Sequence, residues 1–422
     1  MYEKMEKKTI PLWQDLLFWG TIISLLVREY NYKYDYYVLS GLAVLFMLFS
    51  FLDGRKLYIR EFLRKYWYVV AVMVLCLIYQ ALRAGLTRRM LSRTSGIGLL
   101  VYAGFLYGKR FAGQLVRSSI RLAVFLGAAG AIGLVWWALR ICPLEFTSGL
   151  AVKYFLSAPE RMVSVFSHPI LAACYMLLLI SLTMFFWPDH RYLPLRMALL
   201  LIGLTGLFAT VTRSAYLVFA FVVFLWILSF REKLRGLLSG KIIALGVAAV
   251  IVICAVLLYS GAFSYAFERF FGTDWRADRS YTLRIDSMSI IMGSVLSRGI
   301  GRFLFGSGIG KGKNVLDVAW FQEKYGKKLI DNTYLTTFAD QGIFMAGLLL
   351  AEALYVLICC FRERCASLHG KVCHILLPQM LMSAVFDVQG WCSLLFVVCV
   401  LAGMEMAVRE PRGRALTERE GI

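Results

Sequence analysis

LRMALLLIGLTGLFATVTRSAYLVFAFVVFLWILSF, from Leu195 to Phe230, carries only two charges, Arg196 near its start and Arg213 in its middle. As one continuous helix it would be about 54 Å long, nearly twice the roughly 30 Å of hydrocarbon in a bilayer. It therefore reads as two membrane-crossing helices. The turn falls at Thr210-Val211-Thr212-Arg213-Ser214, which puts Arg213 at the tip of a helical hairpin.

The rest of the chain agrees with this reading. Of 422 residues, 60% are hydrophobic and 17% charged, against about 45–50% and about 25% in soluble domains. Apolar runs lie near 12–27, 36–52, 66–83, 95–108, 120–141, 168–187, 195–211, 213–229, 242–261, 333–360, 372–387 and 390–407. They predict an all-α polytopic membrane protein of about 12 transmembrane helices, with the run at 95–108 short and that at 333–360 long enough to tilt.

An even number of spans puts both termini on one side, and the distribution of Lys and Arg says which. Arg55, Lys56, Arg60, Arg64, Lys65, Lys109, Arg110, Arg117 and Arg121 fall in loops assigned to the cytoplasm. So do Arg231, Lys233, Arg235, Lys241, Arg362, Arg364 and Lys371, and the tail adds Arg409, Arg412, Arg414 and Arg419. The cluster Arg83, Arg88, Arg89 and Arg93 is an exception on the outer side. The net charge of +20 thus reads as topology signals and anionic-lipid contact, not as a nucleic-acid surface. The expected place is the plasma membrane, multi-pass, with cytoplasmic termini. The ten cysteines lie mostly in apolar runs, with Cys142 in an outer segment, so no disulfide framework follows. Met1 to Lys8 is charged but no small-residue cleavage site follows, so the first run reads as a retained helix.

The domain division expected is a bundle of about nine helices over 1–261, a large extracytoplasmic loop over 262–332, closing transmembrane helices over 333–408, and a cytoplasmic tail over 409–422. A loop that long usually carries function. Within it, Ser280 to Ser297 reads as an amphipathic helix with Leu283, Met288, Ile291, Met292 and Val295 on its apolar stripe, and Arg284 and Asp286 off it. The glycine-rich run Gly299 to Lys313 follows. A phosphate loop of the Walker kind needs Gly-Lys followed by Ser or Thr, whereas here Lys313 precedes Asn314. The run reads as a flexible re-entrant or surface turn.

The outer arginines are candidates for chemistry. Arg213 interrupts an uncharged stretch, and Arg284, Arg161, Arg298 and Arg302 lie in or beside outer segments. The plain alternative is a side chain snorkelling to lipid headgroups. The sharper reading is a diphosphate site, because a guanidinium presents a planar fork of donors and stays charged. Asp331, where the loop re-enters the membrane, is either a helix N-cap or a carboxylate that accepts a proton from, or orients, a sugar hydroxyl. As a base it would need its pKa raised. Cys365, His369, Cys373 and His374 form a cytoplasmic cluster whose spacing fits no standard zinc pattern, and no metal is expected. Glu29 and Asp35, amid tyrosines in the first outer loop, read as part of an interfacial belt.

Three ordered segments carry a resemblance: Arg161-Met162-Val163-Ser164-Val165-Phe166-Ser167-His168-Pro169, Thr212-Arg213-Ser214-Ala215, and the loop from Phe305-Gly306-Ser307-Gly308-Ile309-Gly310 to Asp331-Asn332-Thr333-Tyr334-Leu335 and Gly342. Over roughly 160–360 the chain resembles the bacterial O-antigen ligase and polymerase family. That resemblance implies inverting, metal-independent transfer of an undecaprenyl-diphosphate-linked oligosaccharide to a glycan acceptor on the outer side, with no cofactor. It further implies diphosphate contacts by Arg213 and Arg284; with Asp331 these are the catalytic candidates, and Arg161, His168, Arg298, Arg302, Asn332 and Tyr334 are the candidates for substrate contact. The partners implied are the lipid-linked oligosaccharide, the glycan acceptor, the bilayer and a chain-length regulator. Asp331 stands where the ligases keep a histidine, which favours a polymerase over an O-antigen-type ligase. A lipid-linked oligosaccharide flippase would instead place charges around a central cavity, and a structural membrane subunit would need no basic loop.

Overall fold

The computed structural model describes residues 41, 43–48, 57–85, 87–142, 149–163, 166, 168–186, 192–237, 279–326 and 330–409. Every regular element among them is a helix. In order they are α1 (Ile59–Ala84), α2 (Arg88–Phe111), α3 (Leu115–Ala138), α4 (Gly149–Ser157), α5 (Pro169–Phe185), α6 (Leu193–Ala209) and α7 (Arg213–Leu237). They continue as α8 (Arg279–Ser297), α9 (Ile300–Phe305), α10 (Ala319–Tyr325), α11 (Thr333–Glu363), α12 (Leu368–Ser383) and α13 (Cys392–Val408).

Four described helices are long and apolar enough to cross a membrane: Ile59–Arg83, Leu115–Ala138, Arg213–Phe230 and Thr333–Glu363. Pro169–Phe185, Leu193–Ala209 and Leu394–Val408 are apolar but shorter. The expected runs at 12–27 and 242–261, most of 36–52, the pair Glu29 and Asp35, the 261/262 boundary and the tail beyond 409 lie outside the described residues. Among the described residues the finding is therefore an all-helical bundle with four full-length apolar helices.

The opening stretch folds as a hairpin. α6 ends at Ala209, Val211 turns the chain with φ 47°, and Arg213 is the first residue of α7. α5 runs through the centre, buried on nearly every side from Leu171 to Leu182.

The run that looked too short, 95–108, lies inside the 24-residue α2. Its first turns hold Arg88, Arg89 and Arg93, which lower its hydropathy, yet Leu100, Phe105, Leu106 and Tyr107 are fully buried. Small side chains bring it against α13. A Cβ on Gly104 would fall 2.3 Å from the Val400 carbonyl oxygen, and one on Gly403 would fall 2.0 Å from that of Val101. Gly104 and Gly108 are one helical turn apart, so both present a groove to the same neighbour. In lipid, helices gain little from hiding apolar surface from each other, and close backbone approach supplies the attraction instead. Gly403→Leu is expected to force α2 and α13 apart. Size-exclusion chromatography in detergent would show the loss of a monodisperse peak, whereas an unchanged peak would contradict this packing.

α11 begins with Asn332 as its N-cap, the side-chain oxygen accepting from the Leu335 N–H at 2.9 Å. The cap is therefore the residue after Asp331, which leaves the Asp331 carboxylate for other contacts. α11 breaks at Gly342, with φ 78° and ψ −176°. The break frees carbonyls that a straight helix would pair four residues on. Ser307 N–H donates to the Ala339 carbonyl at 3.0 Å and Gly308 N–H to that of Asp340 at 2.9 Å. Gln80 Nε2 also donates to the Asp340 carbonyl, at 3.0 Å.

The glycine-rich run is thus an ordered loop closed onto α11. Gly306, Gly308 and Gly310 take positive φ, and the N–H groups of Gly310 and Gly312 donate to the two Asp340 carboxylate oxygens at 2.5 and 2.6 Å. The loop already encloses an anion, the protein's own Asp340.

α8 matches the predicted amphipathic helix, starting one residue earlier, but its stripe is rotated. Leu283, Ser287, Ile291 and Val295 are buried, while Met288 and Met292 are 52% and 37% exposed. The buried set recurs every fourth residue and packs on Val315, Leu316, Phe321 and Phe338, so the segment 279–330 builds its own small core against α11.

Candidate functional site

The N-terminal end of α11 meets the turn between α12 and α13. Thr333 is the staple: its hydroxyl donates to the Phe386 carbonyl and accepts from the Val388 N–H, both at 2.8 Å. One turn on, Gln389 Nε2 donates to Thr337 Oγ1 at 2.8 Å. α8 crosses this junction and presents Arg284 to it.

Arg284 Nη2 lies 3.9 Å from Asp331 Oδ2 and donates to the Val385 carbonyl at 3.3 Å. Its Nε is buried without a hydrogen-bond partner among the described residues. A buried guanidinium N–H that satisfies nothing is costly unless another acceptor arrives. At 3.9 Å the pair is a loose ion pair, so the fork retains capacity for an anion.

Asp387, in the α12–α13 turn, accepts from the Gln389 N–H at 3.2 Å. Burial and the neighbouring Asp340 carboxylate push the Asp387 carboxyl up to about 7; Asp331 adds to this, while the Gln389 N–H and Arg93 oppose it. The sequence reading placed Asp387 at the end of an apolar span. The missed signal is a lone acid between the last two apolar runs, in Phe386-Asp387-Val388-Gln389-Gly390-Trp391.

Of the other predicted residues, His168, Asn332 and Tyr334 touch the elements of this junction, while Arg161, Arg298 and Arg302 make contacts elsewhere and Arg213 stands at the hairpin tip. His168 caps α5, its Nδ1 accepting from the Ile170 N–H at 3.1 Å, and its ring lies 5.7 Å from that of Phe386 and 5.2 Å from that of Trp391. It is a packing link between α5 and the α12–α13 turn. Arg161 donates from Nε to the Thr210 carbonyl at 3.0 Å and from Nη2 to Thr212 Oγ1 at 3.3 Å. It braces the hairpin tip beside Arg213, which is half-buried. Asn332 caps α11, and Tyr334 donates to the Met380 carbonyl at 3.1 Å, so both serve helix geometry directly.

Arg298 and Arg302 follow α8 and gather near Arg83 of α1. Burial, with the like charges of Arg83 and Arg298, holds the Arg302 guanidinium below its usual range. Arg83 donates to Tyr79 Oη at 3.0 Å. The arginines that broke the charge-asymmetry rule thus sit with the loop arginines: Arg83 beside Arg298 and Arg302, Arg93 near Asp387.

Beneath Thr333, Tyr334 and Gln389 opens a cavity of about 740 Å³ between α1, α2, α11, α12 and α13. Its wall is mostly apolar and follows α11 past Met345 to Glu352 and Arg409. The arrangement combines cations able to hold an oxyanion, a carboxyl that titrates near neutrality, and an apolar cavity alongside. Comparison of this chain with protein-family models and with curated protein sequences finds no match.

Proposed function

We propose that this protein is a membrane glycosyltransferase of the polymerase type, transferring a lipid-diphosphate-linked oligosaccharide to a growing glycan. The observation that supports this reading is Arg284, whose buried Nε has no acceptor among the described residues, set against Asp331, two residues before Thr333 at the rim of an apolar cavity. In the reaction the bond from the anomeric carbon to the diphosphate oxygen breaks and the electron pair leaves with the diphosphate. The acceptor hydroxyl attacks from the opposite face and gives up its proton to a carboxylate. Fixed guanidiniums stabilise the charge gathering on the leaving group. Arg284 and Arg213 are assigned that task, Asp331 orients Arg284 and the acceptor, and Asp387 takes the proton. The cavity receives part of the polyprenyl chain. On this reading the Asp331 end is extracytoplasmic in the plasma membrane, the termini are cytoplasmic, and the full chain crosses about 12 times, as the apolar runs predict.

A proton acceptor must be ionised, and below its pKa the Asp387 carboxyl is not. Transfer is therefore expected to rise with pH through about 7, and Asp387→Asn should flatten that profile while lowering the rate. An unchanged profile in the variant would remove Asp387 from the reaction.

One observation favours a transporter instead: Glu352 and Arg409 line the far end of the cavity, within the helices. They are paired with each other at 2.9 and 3.1 Å. Proteoliposomes loaded with purified polyprenyl-diphosphate-linked repeat units separate the two readings. Lengthening of the glycan supports the polymerase, and movement across the bilayer without lengthening supports the transporter.

A further inference from the structure

About 40 Å further along α11 from Asp331, at 1.5 Å per residue, a second polar group is buried where α11, α12 and α13 meet. The sequence reading set Cys365, His369, Cys373 and His374 in a cytoplasmic cluster at the edge of the run 372–387 and counted Cys359 within an apolar span. In the structure α12 begins at Leu368, so His369 and Cys373 lie on its first turns, one turn apart on a shared face. Cys359 faces them from the last turns of α11. The ligand atoms of Cys359, His369 and Cys373 all lie within 4.8 Å of one another, and all three residues are buried.

We propose that Cys359, His369 and Cys373 form a zinc site. Cys373 Sγ is 3.6 Å from His369 Nε2. Tetrahedral zinc, with Zn–S of about 2.3 Å and Zn–N of about 2.0 Å, separates a sulfur and a nitrogen ligand by about 3.5 Å. The other ring nitrogen, Nδ1, lies 2.8 Å from Glu363 Oε1, and Glu363 also accepts from Ser367 Oγ. A carboxylate on the far nitrogen of a histidine fixes the tautomer and aims the near nitrogen at a metal, the usual outer support of a zinc ligand.

Glu405 Oε1 lies 2.6 Å from His369 Nε2, a hydrogen-bond contact closer than the roughly 3.3 Å between two ligands of one tetrahedral zinc, so without metal Glu405 holds the Nε2 proton. Two sulfurs and one imidazole suit zinc better than magnesium or calcium, which take oxygen shells. On binding, Nε2 and both thiols lose their protons to solvent, two thiolates balance the divalent ion, and no electron moves. The ion would tie α11 to α12 beside the far end of the cavity.

The test uses the full chain, purified in detergent without chelators and freed of any histidine tag. Elemental mass spectrometry is expected to find one zinc per chain, lost in Cys359→Ser and in Cys373→Ser. Cys360→Ser and Cys399→Ser, which change buried cysteines outside the group, should keep it. Should a ligand variant fail to fold, wild-type protein stripped of zinc and given cobalt(II) decides: a thiolate-to-cobalt charge-transfer band supports the site. Trace zinc in the wild type together with no such band would overturn it, as would full zinc in the Cys359→Ser/Cys373→Ser double variant. In either of those cases the group is an ion-paired histidine with two neighbouring thiols. None of these readouts depends on transfer activity.

Discussion

Arg284→Ala is expected to insert into membranes at the wild-type level and to lose transfer by about 10²–10³-fold, the usual effect of removing one group that stabilises a developing oxyanion. The guanidinium contributes little to folding. Among the described residues its contacts are one carbonyl at 3.3 Å and one carboxylate at 3.9 Å, and its Nε is already unsatisfied. Truncation therefore costs few bonds in the resting protein and removes donors where the departing diphosphate accumulates charge. Arg284→Lys keeps the charge without the fork and should fall between the two. Arg213→Ala should show the same pattern of normal insertion and lost transfer. Glycan lengthening by reconstituted protein, normalised to monodisperse protein, is the measurement. Full activity in Arg284→Ala would remove the residue from the site and leave the polymerase reading without its main support.

Gly342→Ala should strongly destabilise the fold, for reasons independent of chemistry. Its backbone, φ 78° with ψ −176°, lies in a region open almost only to glycine, at a cost of about 1–3 kcal/mol for other residues. A Cβ there would also meet the Leu304 carbonyl oxygen at 2.3 Å. To make room, the loop must leave α11, and with it go two hydrogen bonds to the Asp340 carboxylate, about 1.5–3 kcal/mol each. Gly347→Ala is the control, because it lies in the same helix with nothing within 4 Å of an added Cβ. In a helix interior that change is favourable by up to about 1 kcal/mol. Thermal unfolding in detergent should therefore move in opposite directions for two Gly→Ala changes five residues apart. Equal midpoints would contradict the tight fit at Gly342.

The hairpin at Arg213 was legible because length and apolarity alone leave a 36-residue run no other way to fit a bilayer. α8 was legible for a similar reason, helical spacing of apolar residues, although its buried face could not be fixed without its neighbours. α2 was underrated because hydropathy ranks helices by contact with lipid, whereas α2 earns its place through Gly104, Gly108 and close packing. The glycine-rich loop was misjudged as flexible because the acid that organises it, Asp340, arrives some 28–30 residues later. The cap expected at Asp331 falls one residue later, on Asn332, whose side chain suits the role equally well.

The juxtaposition of Cys359, His369 and Cys373 was not legible for a boundary reason: placing the helix start at 372 rather than 368 left His369 outside it, and Cys359 was counted as part of an apolar span. The 3.9 Å approach of Arg284 to Asp331 and the nearness of Asp387 to Asp331 are contacts the sequence did not foretell.

The embrace of α2 by α13 also bears on biosynthesis. A ribosome delivers α2 well before α13, so the notched glycine face of α2 waits without its partner until residues 392–408 have been made. A nascent chain that stalls before residue 392 would leave that face open to strangers, and membrane quality control would meet an orphaned helix rather than a finished bundle.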